Sequence, residues 1–239
     1  MKKALCYLIV SSVAVFYLSS CSKDGGQSST VVTDIDGNVY KTVQIGTQTW
    51  MMRSLRVTKY ADGTPLKNGL HAGNIGVSGD TLHYFFYYNN DTAYLYDYGY
   101  FYTWSAVMRG KQSSSASPSG IQGPCPNGWH VPSEAEWQTL VDYLGGNLSA
   151  GGYMKGYSYW QGGNSGEGGG NESGFNGLPS GYRTAAGPGA ARTAGAFFWS
   201  TNEQDNTSAF IRELFNTSTA VGDSAFVKNT GASCRCLQD

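Results

Sequence analysis

The sequence predicts a β-rich domain that carries one clear helix. Segments with β-branched and aromatic residues, at 31–50 and 197–237, indicate strands in the first and last parts of the chain. Between them, Ser133 and Glu136 have the spacing of a capping box, and apolar residues follow at helical intervals. These observations predict short strands on both sides of a single helix.

The first strands are indicated by turn residues and by alternation. Residues 36–38 (DGN) are a turn signal, and Val39, Val43 and Ile45 fall on one face of the run that follows. Gly46 and Thr47 then turn the chain into residues 49–52. The pattern from 66 to 79 is weak, so we expect a loop there.

Two aromatic runs come next, at 84–88 and 94–104. Such runs have high β-propensity, so we expect them to form core strands with cross-strand pairs. The alternative, an aromatic platform for a ligand, stays open. Residues 111–123 are predicted to be a loop because Ser, Gly and Pro are frequent there.

The helix is predicted over about 133–144. Trp137, Leu140, Val141 and Leu144 would form its apolar face, and Gly145 would end it in the left-handed conformation. Residues 151–174 are very rich in glycine and carry few apolar side chains, which predicts a long loop. Short strands are expected again around 197–200, 209–214 and 233–237.

The first 21 residues have a pattern typical of bacterial lipoproteins. Lys2 and Lys3 precede an apolar stretch, 4–18, that resembles a secretory signal and is too short for a comfortable transmembrane helix. It runs into residues 18–21 (LSSC), which resemble a lipobox. We expect a signal peptide over 1–20, acylation of Cys21 as the membrane tether, and a flexible linker over 21–30. An ordinary signal peptide with a chance cysteine is the alternative.

Composition restricts the classes of partner. Charged residues make up 14% of the 239-residue chain, against an average of about 25%, and the net charge is −1. There is no basic face for phosphates, which argues against nucleic acid. With 17 Tyr and 33 Gly, the composition suits neutral hydrogen-bonding partners such as glycans or proteins, although exported β-rich proteins share it.

Several distinctive segments follow one another along nearly all of the chain after Cys21. They are residues 34–40 (DIDGNVY), 45–46 (IG), 49–51 (TWM), 98–104 (YGYFYTW), 125–133 (CPNGWHVPS) continuing through 136–137 to 144–146, 174–176 (GFN), 178–179 (LP), 181–183 (GYR), 198–201 (FWST) and 235–236 (RC). In this order they resemble the Fibrobacter succinogenes major paralogous domain, a family of exported bacterial proteins.

The resemblance implies one domain over residues 31–239 and an α+β fold. The family is similar to the C-type lectin-like superfamily, which implies a twisted antiparallel sheet, one flanking helix at about 133–144 and long irregular loops. That superfamily also includes formylglycine-generating enzymes. No general activity is established for the family, whose recurring context is the cell surface.

Three cysteines follow the predicted anchor. The family pattern has cysteines at Cys125 and Cys236, so the resemblance implies a disulfide between them, which export permits. Cys234 would then be a buried thiol or a competitor for Cys125. Cysteines one residue apart on a strand point to opposite faces, so we expect only one of them to reach Cys125. A thiol or metal site at residues 234–236 is the functional alternative.

His130 and Arg183 are the remaining charged or titratable candidates. We expect His130 to be a structural hydrogen-bonding residue rather than a catalytic base. Arg183 is expected to determine the fold by pairing with a buried carboxylate or with backbone carbonyls. Trp129, Trp137 and Trp199 are expected to be structural. No metal-ligand, nucleophile or phosphate-binding motif is present in the sequence.

One oxygen-rich segment is a candidate ligand or calcium loop: Asn202, Glu203, Asp205 and Asn206. Calcium takes six to eight oxygen ligands, and C-type lectins use comparable late loops. The lectin ligand motifs are missing here, so a solvated polar loop is the simpler interpretation. The same holds for Glu167, Asn171 and Glu172 in the Gly-rich segment.

The leading functional hypothesis is a lipid-anchored extracytoplasmic binding or adhesion module that recognises a glycan or a surface protein without catalysis. We expect it on the outer membrane, on the cell-surface side, with no cofactor other than the calcium considered above. The alternatives are a structural or accessory subunit of a surface filament or envelope assembly, and an enzyme of the formylglycine-generating type. The oligomeric state and the ligand are left open.

Overall fold

A computed structural model describes residues 30–76, 82–162 and 169–239. The predicted signal peptide, Cys21, linker residues 21–29 and Glu167 lie outside the described residues. Helices are α1 (Leu95–Tyr98), α2 (Trp104–Met108), α3 (Glu134–Tyr143) and α4 (Ala150–Met154). Strands are β1 (Val31–Thr33), β2 (Val39–Ile45), β3 (Gln48–Met51), β4 (Lys67–Asn68), β5 (Tyr84–Phe86), β6 (Phe101–Tyr102), β7 (Trp129–His130), β8 (Tyr182–Arg183), β9 (Gly189–Ala190), β10 (Gly195–Glu203), β11 (Ser208–Phe215), β12 (Val221–Val227), β13 (Ala232–Ser233) and β14 (Leu237–Gln238).

The strands form two sheets and a small ribbon. One sheet has the order β1-β2-β3-β14-β7 and is antiparallel throughout. The other has the order β12-β11-β10-β13-β6-β5-β4 and contains two parallel pairs, β10 with β13 and β4 with β5. Strands β8 and β9 form the ribbon. The α+β class is confirmed, and the sheets are largely but not wholly antiparallel.

Strand β2 contributes side chains to two hydrophobic clusters. Val39 was expected to share a buried face with Val43 and Ile45, and this expectation was wrong. Tyr40 packs in one buried cluster, whereas Val43 and Ile45 pack in another. The buried face therefore changes midway along the strand, and Val39 is left 55% exposed. The strand pairs with β1 over its first residues and with β3 over its later ones, so its two halves face different neighbours.

The second aromatic run is helical where a strand was expected. Residues 95–98 form α1 and 104–108 form α2, with only Phe101–Tyr102 in a strand. Asp91 Oδ1 accepts from Ala93 N at 2.9 Å and starts the turn that leads into α1. Tyr94 and Tyr98 then stack at 5.8 Å, the four-residue spacing of a helix face. The expectation of strands failed because β-propensity was weighed without this spacing.

Helix α3 is confirmed with its capping box. Ser133 Oγ accepts from Glu136 N at 3.3 Å, and Glu136 Oε2 accepts from Ser133 N at 3.0 Å. Trp137 on the buried face lies 4.7 Å from the ring of Trp50 and 5.8 Å from that of Phe198. Helix α3 therefore contacts both sheets, through Trp50 of β3 and Phe198 of β10.

The start of the Gly-rich segment is a helix and not a loop. Helix α4 includes Gly151, at which a Cβ would collide with the backbone oxygens of Thr219 and Ala220. Gly152 N donates to Thr219 O at 3.1 Å. Glycine is needed here because the helix lies close to the backbone of residues 219–220. The sequence analysis interpreted the abundance of glycine as irregular structure, which was wrong for residues 150–154. Residues 66–79 were expected to be a loop, but they include the two-residue strand β4.

The strands expected around 197–200 and 209–214 are confirmed as β10 and β11, whereas the one expected at 233–237 is interrupted. Residues 234–236 are not in a strand and separate β13, in one sheet, from β14, in the other. The Cys125–Cys236 disulfide attaches the loop before β7 to this crossing point. Within residues 30–76, 82–162 and 169–239, no helix has the length and apolar character that crossing a membrane requires.

Candidate functional site

A groove of about 540 Å³ lies beside β1 and β2, and we call it the Tyr96 groove. Its floor includes the apolar side chains of Val31, Val39 and Met52. Its walls come from the chain after β3, from helix α1 and from the segment 171–176. The groove is therefore assembled from parts of the chain that are far apart in sequence.

The turn between β1 and β2 positions Arg56 at the groove. Asp34 accepts hydrogen bonds from Asn38 N at 2.9 Å, Asn38 Nδ2 at 2.8 Å and Tyr40 Oη at 2.6 Å. Asn38 Nδ2 also donates to Arg56 O at 3.1 Å. Arg56 N donates to Tyr40 Oη at 3.1 Å. This network fixes the backbone from which the Arg56 side chain projects.

Helix α1 places Tyr96 on the wall of the groove. The Tyr96 ring is 63% exposed, with the guanidinium carbons of Arg53 and Arg56 at 4.5 and 4.8 Å from its centroid. Arg53 Nη1 donates to Tyr96 O at 3.0 Å and to Asp97 Oδ1 at 3.2 Å. Asp97 Oδ2 in turn accepts from Tyr159 Oη at 2.8 Å. These contacts and the two cation–π interactions restrain the ring.

A buried arginine supports the opposite wall. Arg235 is 1% exposed and donates from Nη1 to Met51 O at 2.9 Å and to Phe175 O at 2.6 Å. Burial, with a smaller contribution from Arg53, lowers the pKa of Arg235 to about 9, so the guanidinium is still charged at neutral pH. Asn171 Oδ1 accepts from Asn176 N at 2.7 Å. The wall formed by the two asparagines is thereby joined to the floor.

The groove has a positive charge that composition did not reveal. Lys41, Arg53 and Arg56 line it, and no carboxylate among the described residues does. Among the described residues, Arg53 pairs with Asp97, and no carboxylate forms a salt bridge with Lys41 or Arg56. The expectation of no basic face was based on the net charge of the whole chain, and net charge does not show that three cations lie together at one groove.

The oxygen-rich segment predicted from sequence lies at the β10–β11 hairpin. Asn202 Oδ1 accepts from Glu134 N at 2.9 Å, and Glu203 pairs with Lys228 at 2.8 Å. Asp205 Oδ1 accepts from Thr207 N and Ser208 N, which lower the pKa of Asp205. The remaining member, Asn206, supplies its backbone oxygen to Lys228. These contacts stabilise the hairpin, and calcium binding there stays a prediction.

His130 lies between two carboxylates. Its Nε2 is 2.9 Å from Glu136 Oε1, and its Nδ1 is 2.6 Å from Asp239 Oδ1. Burial acts to lower the pKa of His130, but the hydrogen bonds to Glu136 and Asp239 outweigh it and raise the pKa above the ordinary value of 6.5. The protonated ring donates to both acids and joins β7 to α3, an arrangement that fits the predicted structural role.

Arg183 and the three tryptophans are buried. Arg183 donates to Thr184 O at 3.0 Å and to Gly73 O, and its guanidinium carbon lies 4.1 Å from the centroid of the Phe86 ring. Arg183 was expected to pair with a buried carboxylate or with backbone carbonyls, and these hydrogen bonds go to backbone carbonyls. Trp129, Trp137 and Trp199 are at most 6% exposed.

The cysteines confirm the expected bridge but correct the expected geometry. Cys125 and Cys236 form the disulfide, and Cys234 is a buried free thiol. All three sulfur atoms nevertheless lie within 4.8 Å of one another. The opposite-face rule did not apply because 234–236 is not a strand. Within the described part of the chain, this is the only group of three or more His, Cys, Asp or Glu side chains close enough to share a metal ion.

Sequence reasoning missed the four principal side chains of the groove: Lys41, Arg53, Arg56 and Tyr96. The cations are scattered singly along the chain, and Tyr96 sits in a run that was interpreted as core. Asn171 was noticed only as part of a polar loop. The one usable signal was the four-residue spacing of Tyr94 and Tyr98, which would have placed Tyr96 on the outer face of a helix.

Comparison with known proteins gives one match. Residues 43–238 match the family described as the Fibrobacter succinogenes major domain. No curated protein and no solved structure matches the chain.

Proposed function

The chain belongs to the Fibrobacter succinogenes major domain family, and from that premise we propose that it is a lipid-anchored extracytoplasmic binding module for a glycan or a surface protein. The proposed binding site is the Tyr96 groove. The observation that carries the proposal is the exposed Tyr96 ring, restrained beside Asn171 and Asn176 in a concave surface. A rigid ring with polar neighbours suits the apolar face and the hydroxyls of a sugar.

The proposal extends to the fold and the location. Two sheets, one longer helix and irregular connections fit a C-type lectin-like domain. The lipobox-like residues before Cys21 support a tether to the outer membrane, and β1 begins only ten residues after Cys21, at Val31. A tethered domain needs no further element to stay at the envelope.

The burial of Cys234 supports a non-catalytic role. An enzyme of the formylglycine-generating type would require a reactive cysteine, and the nucleophile is the thiolate. Burial raises the pKa of Cys234 to about 12. Its neighbours Cys125 and Cys236 are bonded to each other.

A second candidate is an accessory subunit of a surface assembly. Strand β12 is seven residues long and lies at the edge of the larger sheet. An edge strand can accept a strand from another chain. Stable co-purification with filament subunits, without any glycan affinity, would favour this role.

The binding proposal is tested on a glycan array with the full chain purified in detergent. We expect a defined set of glycans to bind, and Tyr96→Ala to weaken binding about tenfold or more. Tyr143→Ala is the matched control, because Tyr143 is 65% exposed and does not line the groove. Absence of any bound glycan on the array, together with no surface protein captured in a pull-down with the same chain, would contradict the proposal, as would equal losses in the two variants.

A further inference from the structure

The Tyr96 groove concentrates positive charge in a chain that is otherwise charge-poor. Three of its lining residues, Lys41, Arg53 and Arg56, are cationic, whereas the whole chain has a net charge of −1. Asp97 compensates Arg53 at 3.2 Å. Lys41 and Arg56 have no carboxylate partner within the described residues. The groove is thus left with about two uncompensated positive charges.

Both charges project from ordered backbone, and the Arg56 side chain is also restrained. Lys41 belongs to β2, where it pairs with Val31 of β1. The Arg56 backbone is fixed by Tyr40 and Asn38, and its guanidinium carbon lies 4.8 Å from the centroid of the Tyr96 ring. A charged concave surface raises the local concentration of an oppositely charged ligand. A cation restrained in this way also loses little freedom when it binds an anion.

We infer that the groove selects glycans that carry carboxylates, such as uronic-acid oligosaccharides, an inference that rests on the proposed function of the same site. The planar fork of Arg56 matches a carboxylate in two parallel hydrogen bonds. Lys41 supplies a second positive charge. The apolar floor and the Tyr96 ring suit the C–H face of the same sugar, and the amide nitrogen of Asn171 can donate to a hydroxyl.

The size of the charged surface favours an acidic sugar over a nucleic acid. Proteins that bind nucleic acid commonly neutralise about 6–10 phosphates. The groove offers three cations, one of them already paired. The apolar side chains of Val31, Val39 and Met52 on the floor also have no part in a phosphate-binding surface. One or two carboxylates on a carbohydrate chain match the charge that is present.

The test measures binding of the full chain in detergent to oligogalacturonic acid and to its methyl ester. The two ligands share sugar and linkage and differ in charge. A panel of glucuronide and alginate oligosaccharides, each beside its neutral ester, covers other uronic acids. We expect acids to bind about tenfold more tightly than esters. This preference should fall as the salt concentration rises from 50 to 500 mM, because the electrostatic screening length then shortens from ~14 to ~4 Å.

Two substitutions locate the effect. Lys41→Gln and Arg56→Gln should each weaken acid binding about fivefold to tenfold more than they weaken ester binding. The matched controls are Lys67→Gln, an exposed strand lysine, and Arg109→Gln, whose guanidinium carbon also lies near a tyrosine ring, at 4.4 Å from the centroid of Tyr60. Neither control residue lines the groove.

The outcomes separate the inference from the function on which it rests. Equal affinity for acids and esters, or binding confined to neutral glycans, overturns the acid selectivity and leaves a glycan-binding module. Acid selectivity that survives both groove substitutions overturns the assignment to this groove. Absence of binding to any glycan on the panel and the array contradicts the inference and the glycan form of the proposed function together.

Discussion

At the scale of single residues, Arg235 supports the groove from behind without entering it. Its guanidinium connects the carbonyl oxygens of Met51 and Phe175, on two segments that are distant in sequence. The rings of Phe175 and Phe198 lie 4.3 and 5.3 Å from its guanidinium carbon. A buried charge is tolerated only when it is hydrogen-bonded in this way. The positions of Met52 and Asn176, next in sequence to these carbonyls, therefore depend on a side chain that no ligand touches.

Cys234 gives the first prediction at this scale. Because its sulfur lies within 4.8 Å of that of Cys125, Cys236→Ser should form a Cys125–Cys234 disulfide during oxidative folding. Peptide mapping by mass spectrometry of non-reduced protein checks this. The double variant Cys234→Ser/Cys236→Ser should lose more stability, up to about 4–5 kcal/mol.

The control for this prediction is Cys234→Ser, which keeps the native bridge. It buries a hydroxyl in place of the thiol, which lowers stability, but it should lose less stability than the double variant, which has no bridge. Two free thiols in denatured, non-reduced Cys236→Ser would show that Cys234 does not substitute for Cys236.

At the scale of elements, helix α1 is one turn long and is placed by its connection to the chain after β3. Gly99 ends the helix with φ of +72°. Tyr100 N donates to Leu55 O at 2.8 Å. A Cβ at Gly99 would collide with the carbonyl oxygens of Ser54 and Leu55. The absence of a side chain at this position allows Tyr96 to reach Arg53 and Arg56.

Gly99→Ala is therefore predicted to displace α1. We expect a loss of about 2–4 kcal/mol in the free energy of unfolding, from overpacking and from a positive-φ backbone conformation that is essentially restricted to glycine, and weaker ligand binding at the groove. Gly63→Ala is the matched control, because Gly63 has φ of +88° and no atom within 4 Å of an added Cβ. It should lose about 1–2 kcal/mol from the strain alone. Equal losses in the two variants would contradict the packing argument.

At the scale of the whole molecule, one polar cluster joins the smaller sheet to the longest helix. His130 in β7 contacts Glu136 in α3 and Asp239, which follows β14. Glu136 and His130 side chains are each 3% exposed, whereas that of Asp239 is 57% exposed. The contact with Glu136 is therefore less screened by solvent than the contact with Asp239.

The raised pKa of His130 predicts how stability depends on pH. A raised pKa in the folded state stabilises fully below the unfolded value of 6.5, and the stabilisation is lost as pH rises through the folded value. His130→Gln should cost about 1.5–3 kcal/mol at pH 6, and the difference from the unsubstituted chain should shrink at higher pH. Urea unfolding from pH 5.5 to 9 measures it.

The exposed residue His71 supplies the control. His71→Gln removes an exposed imidazole and should leave the free energy of unfolding at pH 6 nearly unchanged. A cost of His130→Gln that is constant over this range would show that the hydrogen bonds do not depend on the protonated ring.

Local signals in the sequence predicted local structure well. The capping box of Ser133 and Glu136 located α3, and the resemblance supplied the Cys125–Cys236 bridge. The groove could not be predicted in this way, because β1, β2, α1 and residues 171–176 meet only through the tertiary fold. Val39 and Tyr96 were taken for core residues because hydrophobic pattern does not reveal which apolar side chains the sheet order leaves uncovered.

The most direct test of the central claim is chemical-shift mapping of the ¹⁵N-labelled protein as it is titrated with the tightest-binding glycan from the panel. The claim predicts shift changes concentrated at Lys41, Arg53, Arg56, Tyr96 and Asn171. Changes confined to the β10–β11 hairpin around Asn202 and Asp205, with the groove unaffected, would contradict it and would restore the late loop as the ligand site.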